Sequence, residues 1–189
     1  MPNVDYAVRF SNCQNQNKKI GSKNKIQIKP ARLDDMTQIA EFIRSSAEWY
    51  KKFIDPKDKA EHDVDEEWMQ RNYFLRRFYI GYNNNKAIGT ISMQQMGEYA
   101  YLGYIYLDAK QVGKGYGHEL IQFAEDKARS EGYSGLCLIA HPEATWATKA
   151  YLKYGFEITA TKRHHVLTWN KACMKQYYEE GFELYTYRF

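Results

Sequence analysis

Leu107-Asp108-Ala109-Lys110-Gln111-Val112-Gly113-Lys114-Gly115-Tyr116-Gly117-His118 is the stretch from which the rest of this chain can be read. Tyr99 to Tyr106 ahead of it is aromatic and branched, as a strand is. Behind it an amphipathic segment runs to Glu131. Strand, glycine loop and helix therefore follow one another. Gly113, Gly115 and Gly117 alternate where side chains would keep a backbone away from a ligand. The helix behind them turns its unbonded N–H groups, and the positive end of its dipole, toward the loop. That combination is a place to hold a phosphate.

Upstream of Tyr99 the pattern is antiparallel. Ile26 to Ala31 alternates at period two and reads as a first strand. Asp34 or Asp35 offers an N-cap for a helix striped by Ile39, Phe42 and Ile43 and running to about Ser46. Arg77 to Tyr82, Ala87 to Gln94 and Tyr99 to Leu107 are strands joined by short turns at Asn83–Lys86 and Met96–Glu98, a meander. Downstream the pattern changes. Leu120, Ile121, Ala124 and Ala128 share a helical face, and Gly132 is a C-terminal stop. Leu136 to Ala140 is wholly apolar, as a strand buried on both faces is. Strand, helix and strand in that order form a right-handed parallel crossover. Pro142 is read as opening a helix that Gly155 ends, with Phe156–Thr161 a strand, Trp169–Tyr178 a helix and Phe182–Phe189 a closing strand. The fold class is α/β with a mixed, mostly antiparallel sheet and one central parallel β-α-β crossover. Residues 26–189 make one domain, and the polar residues 1–25 a loose arm or an added strand.

Composition narrows the function. A net charge of +4 across 189 residues is too slight to argue for nucleic acid. Cys13, Cys137 and Cys173 have no zinc-type spacing, which predicts reduced thiols and no metal. No apolar run is long enough to span a bilayer, and no signal-peptide core is present, so the expectation is a soluble cytoplasmic protein. Asp55 to Glu67 holds seven acids and two lysines. Such a run is a solvated face or a device that steers a cationic substrate.

The glycines alone fit neither a P-loop, since His118 follows Gly117, nor a dinucleotide fingerprint. A second motif, Ala147-x-x-x-Tyr151-Leu152-Lys153-Tyr154-Gly155-Phe156, adds what they lack. With Gln111-Val112-Gly113-Lys114-Gly115-Tyr116-Gly117 upstream, the chain resembles the GNAT family of N-acetyltransferases, closely over Lys86 to Phe156 and by order of elements over Ile26 to Arg76.

The resemblance implies an acyl-CoA N-acyltransferase-like fold with helices on both faces, and acetyl-CoA as donor. It implies that the amides of Val112, Gly113, Lys114, Gly115, Tyr116 and Gly117 bind the pyrophosphate. The pantetheine arm would lie between Tyr99–Leu107 and Leu136–Ala140 where these strands part, with Ile105, Tyr106 and Leu107 as backbone partners and Ala147 alongside. Tyr151 becomes the catalytic acid, because a phenol of pKa about 10 is protonated at neutral pH and can donate to a leaving thiolate. Glu98, beside the Met96-Gly97 turn, is the candidate base for the acceptor amine. His141 falls on the cofactor side of the cleft, and His164 and His165 belong to a surface turn.

The expected activity is acetyl transfer to a primary amine, small or cationic, by direct attack in a ternary complex. Val112 and Ala144 depart from the family pattern, where Arg or Gln and Asn are usual. They support the alternative of a catalytically silent acyl-CoA-binding domain that senses the cofactor or binds a partner. Trp169, Tyr177, Tyr178 and Phe182 line either the acceptor pocket or a seam for a homodimer.

Overall fold

In order along the chain the elements are β1 (Gln27–Pro30), α1 (Met36–Tyr50), α2 (Glu66–Leu75), β2 (Arg77–Asn83), β3 (Lys86–Met96), β4 (Tyr99–Leu107), α3 (Tyr116–Ser130), β5 (Gly135–Ala140), α4 (Thr145–Tyr154), β6 (Glu157–Ala160), α5 (Arg163–Ala172) and β7 (Glu183–Arg188). They come from a computed structural model that describes residues 26–50, 52–57 and 64–189. The reading of residues 1–25, and of the middle of the acidic stretch, lies outside these.

The described strands form one sheet in the order β1-β2-β3-β4-β5-β7-β6. β1 to β4 pair antiparallel, β4 and β5 pair parallel, and β7 lies antiparallel between β5 and β6. The mixed sheet and its single crossover are as the sequence pattern predicts.

Alternation along the strands sends side chains to two faces. On one, Leu120, Ile121, Ala124 and Ala128 of α3 meet Ile88, Ile91, Met93, Leu102, Leu136 and Leu138, joined by Tyr151, Tyr154 and Phe156 from the α4 region. Leu120 is fully buried, so Leu120→Ala should cost about 2–5 kcal/mol. On the other face α1 and α2 cover β2 through Met36, Ile39, Ile43, Trp68, Phe78 and Ile80. The same face is covered farther along by Val166, Met174 and Tyr177, packed on Tyr99, Tyr101, Cys137 and Leu184. The two covers meet over β4, where Arg76 packs on Tyr104 from one side and on Tyr101 and Tyr177 from the other.

Several boundaries differ from the reading of the sequence. α1 continues to Tyr50, and Asp35 acts one turn early, its carboxylate accepting from the Arg32 amide at 2.8 Å. α4 starts at Thr145 rather than Pro142, because Ala144 N turns back to His141 O at 3.0 Å. α5 begins at Arg163, so His164 and His165 are helical. Its regular geometry ends before Trp169, with Asn170 and Lys171 at φ of 45° and 59°. Val166 is its one buried residue, too sparse a stripe to read from sequence.

Candidate active site

The site begins where two strands stop pairing. β4 and β5 match over Tyr99–Gly135, Ala100–Leu136 and Tyr101–Cys137, and no further. Thr90 opposes Tyr106 and Ser92 opposes Gly103, so two steps on β3 face three on β4. That extra residue is a β-bulge, and it holds Tyr104 at φ +48°, a conformation costly for a bulky side chain. The bulge bends β4 away from β5. Beyond it, residues 103–107 change from buried to half-buried.

Antiparallel pairing decides which backbone groups line the opening. Asp108 N donates to Ile88 O at 2.9 Å, so Tyr106 and Thr90 form the next bonded pair two residues back. The main-chain groups of Ile105 and Leu107 then point toward the opening. Tyr106 is occupied by β3 and is not available there, which corrects its expected role as a backbone partner. Ser46 of α1 donates its Oγ to Leu107 O at 3.4 Å.

The glycine loop closes the wide end of this opening. Asp108 caps a short turn by accepting from Lys110 N at 3.0 Å, and Gln111 N returns to Asp108 O at 2.7 Å. From Val112 to Gly117 no amide donates to another group among the described residues. The ladder of α3 resumes at His118 N, which reaches Gly115 O at 3.1 Å. Gly113 and Gly115 have φ of +83° and +90°, which accounts for glycine at both. Gly117 is different: its φ is ordinary, and a Cβ there would touch only Leu107 Cδ1 at 3.9 Å. Nothing inside the protein excludes a side chain at Gly117, so its absence leaves space for something that comes from outside.

The side chains around the loop are held by the protein itself. Gln111 accepts from Lys114 Nζ at 3.0 Å, and the Tyr116 hydroxyl accepts from Asn83 at 2.7 Å. Val112 is exposed, Ala144 is buried as the N-cap of α4, and Ala147 is half-buried one turn before Tyr151. The departures at Val112 and Ala144 therefore leave the amide run intact.

Tyr151 lies on the α3 side of the sheet, with Phe156 and Tyr185 at ring distances of 6.0 and 6.1 Å. Its hydroxyl has no hydrogen bond among the described residues, and burial pushes its pKa up to about 12. Beside it Tyr154 donates to the buried carboxylate of Glu125, which also accepts from Arg129 Nε at 2.8 Å. That network locks α4 onto α3.

Glu98 is not brought into this group. It is exposed in the β3–β4 turn at the paired end of β4, where its carbonyl accepts from Ser134 N at 2.8 Å. Three of the described acids of the 55–67 stretch have local partners. Asp55 accepts from Lys57 N, Asp65 caps α2 at Trp68 N, and Glu66 accepts from Gln70. Across the opening the 52–57 segment reaches β5, with Phe53 stacked on His141 at 5.2 Å and Lys57 paired to Glu180 at 3.3 Å. Sequence reasoning missed the Tyr104 bulge, and it missed Arg76. The guanidinium of Arg76 sits among Tyr101, Tyr104 and Tyr177, at 5.5, 5.0 and 5.2 Å from their ring centres.

Two surface recesses of about 430 and 560 Å³ lie away from the loop. The groove itself is made by strand separation rather than by a closed cavity. Among the described residues no helix is long and apolar enough to cross a membrane, and no three His, Cys, Asp or Glu side chains converge as a metal would require.

Comparison with known proteins bears on this geometry. No curated protein matches the chain by sequence. Among solved structures it is similar to the PaiA N-acetyltransferase of Thermoplasma acidophilum in complex with coenzyme A, at 17% identity and a TM-score of 0.67, covering 87% of this chain and 99% of that one. It is similar to a GNAT-family acetyltransferase of Staphylococcus aureus Mu50, at 19% identity and a TM-score of 0.65, covering 86% and 98%. A GNAT acetyltransferase of Elizabethkingia anophelis with acetyl-CoA bound matches at 20% identity and a TM-score of 0.59, covering 88% and 100%. At these identities the likeness is one of fold. The family model "Acetyltransferase (GNAT) family" matches residues 40–156, taking in the bulge, the glycine loop and Tyr151 together. This chain belongs to the acetyltransferase (GNAT) family.

Proposed function

We propose that this protein transfers acetyl from acetyl-CoA to a primary amine by direct attack in a ternary complex. The observation that carries this reading is the run of unengaged amides from Val112 to Gly117 at the mouth of the parted strands. Six N–H groups at a helix start suit a pyrophosphate, and the Lys114 ammonium adds a cation beside them. The main-chain groups of Ile105 and the N–H of Leu107, which face the opening, suit the amides of a pantetheine arm, which would then lie as an added strand between β4 and β5.

The donor supplies an acetyl carbon activated as a thioester; the protein's own part is to place and polarise. An arm anchored at both points brings the reacting carbonyl to the bulge at Tyr104. The amine approaches the bulge from the α1/α2 face, on the opposite side of the sheet from Tyr151. Holding the two reactants in this geometry supplies much of the rate. As the C–N bond forms and the C–S bond breaks, Tyr151 donates its O–H toward the sulfur, where negative charge develops. The amine attacks as the free base, and the proton it then loses passes to solvent, which restores any proton the phenol gives up. A pKa pushed up to about 12 keeps that hydrogen in place across the neutral range. With the carbonyl at the bulge, Glu98 lies six residues down the strand, about 20 Å away, and is out of reach as a base.

The test is thiol release from acetyl-CoA over a panel of amines, alongside calorimetric titration with CoA. Tyr151→Phe should lower kcat about 100-fold or more while leaving the KM for acetyl-CoA within a few-fold. The sign of the pH dependence follows from the raised pKa. Tyr151 donates below its pKa and loses its hydrogen above it, so the wild type should show no Tyr151-linked fall in kcat until pH approaches 12. CoA binding with no release on any amine would instead mark the chain as an acyl-CoA-binding module.

A further inference from the structure

Three buried side-chain atoms among the described residues have no hydrogen-bond partner: Trp68 Nε1, Arg76 Nη1 and Gln94 Oε1. Native proteins leave few such groups, and each one found calls for a partner. These three are gathered in one place. Trp68 stands edge-on to Tyr104 at 5.1 Å, Arg76 packs over Tyr101, Tyr104 and Tyr177, and Gln94 bonds the Tyr177 hydroxyl with the other end of its amide. All lie on the sheet face opposite α3, where the α1/α2 cover meets the closing segment.

Gly103 ties this cluster to the reaction site. A Cβ at that position would sit 3.0 Å from Arg76 Nη1 and 3.2 Å from Ser92 Oγ, so the missing side chain leaves room for the guanidinium against the bulge itself. Only Nε of Arg76 is hydrogen-bonded among the described residues, to Asn72 Oδ1 at 3.3 Å. The far edge of the guanidinium, with its two terminal nitrogens, is the edge that meets a carboxylate in a fork. A recess of about 560 Å³, lined by Tyr73, Arg76, Gln94 and Tyr133 among others, adjoins it and gives room for the body of a small molecule.

Resting on the acetyl-transfer reading, we infer that the acceptor is an amine carrying a carboxylate, and that Arg76 binds this carboxylate while the amine reaches the bulge at Tyr104. Free amino acids and related amino-carboxylates are the substrate class. This reverses the charge that the acidic stretch Asp55–Glu67 suggests for the acceptor. A half-buried cation, rather than a carboxylate, stands beside the bulge. The remaining orphans fit the same ligand, since Trp68 adds a donor and Gln94 one amide group at the edge of the aromatic walls.

The experiment compares acceptors in matched sets, each an amino acid, its carboxamide and its decarboxylated amine, at equal concentrations of free base. In the wild type kcat/KM should favour the amino acid by about 10- to 100-fold, the usual worth of a charge-assisted pair. In Arg76→Met that ratio should collapse to within about threefold of unity, and in Arg76→Lys part of it should return. A wild-type ratio at or below one, or a ratio that survives Arg76→Met, overturns the inference. If Arg76→Met does not fold, the wild-type ratio and the Arg76→Lys ratio decide the matter on the same terms. The two readings fail differently: no turnover on any amine removes acetyl transfer itself, whereas turnover without carboxylate preference removes only the role of Arg76.

Discussion

The two ends of the β4–β5 pair are built from similar apolar sequence and behave in opposite ways. At the end that starts with Tyr99 and Gly135 the strands are in register, and the protein closes every nearby connection itself. Ser134 N donates to Glu98 O, Phe189 N donates to Ser134 O at 3.2 Å, and Arg188 Nε donates to the Tyr99 hydroxyl at 2.7 Å. Arg77 and Glu131 add a two-pronged ion pair at 2.6 and 2.8 Å. At the other end one extra residue in β4 ends the pairing, and a run of amides is left without partners. The lesson is that one end of the ladder is fixed so firmly that the other can be held open. In this fold a missing hydrogen bond carries as much information as a formed one.

The largest effect that would break this comparison comes from the open end. Gly115→Val places a β-branched residue at φ +90° and covers the amides around it. Losing two charge-assisted bonds to a phosphate should weaken CoA binding about 100-fold by calorimetry. Affinity within tenfold of wild type would mean that the amide run does not hold the donor.

Gly89→Ala probes the junction between the two ends. Its Cβ would lie 2.6 Å from both Tyr106 O and Leu107 Cδ2, so the open part of β4 must shift. The expected cost is about 1–3 kcal/mol, or roughly 2–12 °C in Tm, together with weaker CoA binding. A fall in Tm with unchanged CoA affinity would separate the open end from its pairing with β3.

The smallest effect belongs to the closed end. The bonds from Arg77 hold the Glu131 carboxyl at a pKa of about 2, below its ordinary 4.5, so the pair stabilises the fold above pH 4.5 and fades as pH falls toward 2. Both side chains are partly exposed, so Glu131→Gln should cost no more than about 1 kcal/mol at pH 7. Urea unfolding curves of the two proteins should converge near pH 2. CoA affinity should not change, and a change would show that the two ends are coupled.

What could be read from sequence follows the same division. The meander, the crossover and the glycine loop were legible because each rests on local spacing: strands joined by short turns, an apolar strand after an amphipathic helix, glycines at alternate positions. The bulge was not, since Gly103 and Tyr104 sit inside an unbroken β-rich run and only the register against Thr90 and Ser92 shows the extra residue. Arg76 was missed because Leu75-Arg76-Arg77 looks like the charged end of a helix. Its burial depends on Tyr177, far along the chain. Glu98 was proposed as a base from its closeness in sequence to β4, but it stands at the wrong end of that strand. The start of α5 was lost because only Val166 marks its inner face.

The Val112–Gly117 run also bears on how such a protein can change over generations. A contact made by main-chain N–H groups survives almost any replacement of the side chains around it, provided the glycine conformations are kept. Proteins sharing only 17–20% of their residues with this one keep a similar fold. On the proposed reading the acceptor side is written in side chains, and a single exchange at Arg76 would alter what it recognises. Such an architecture can keep its donor while its clientele drifts.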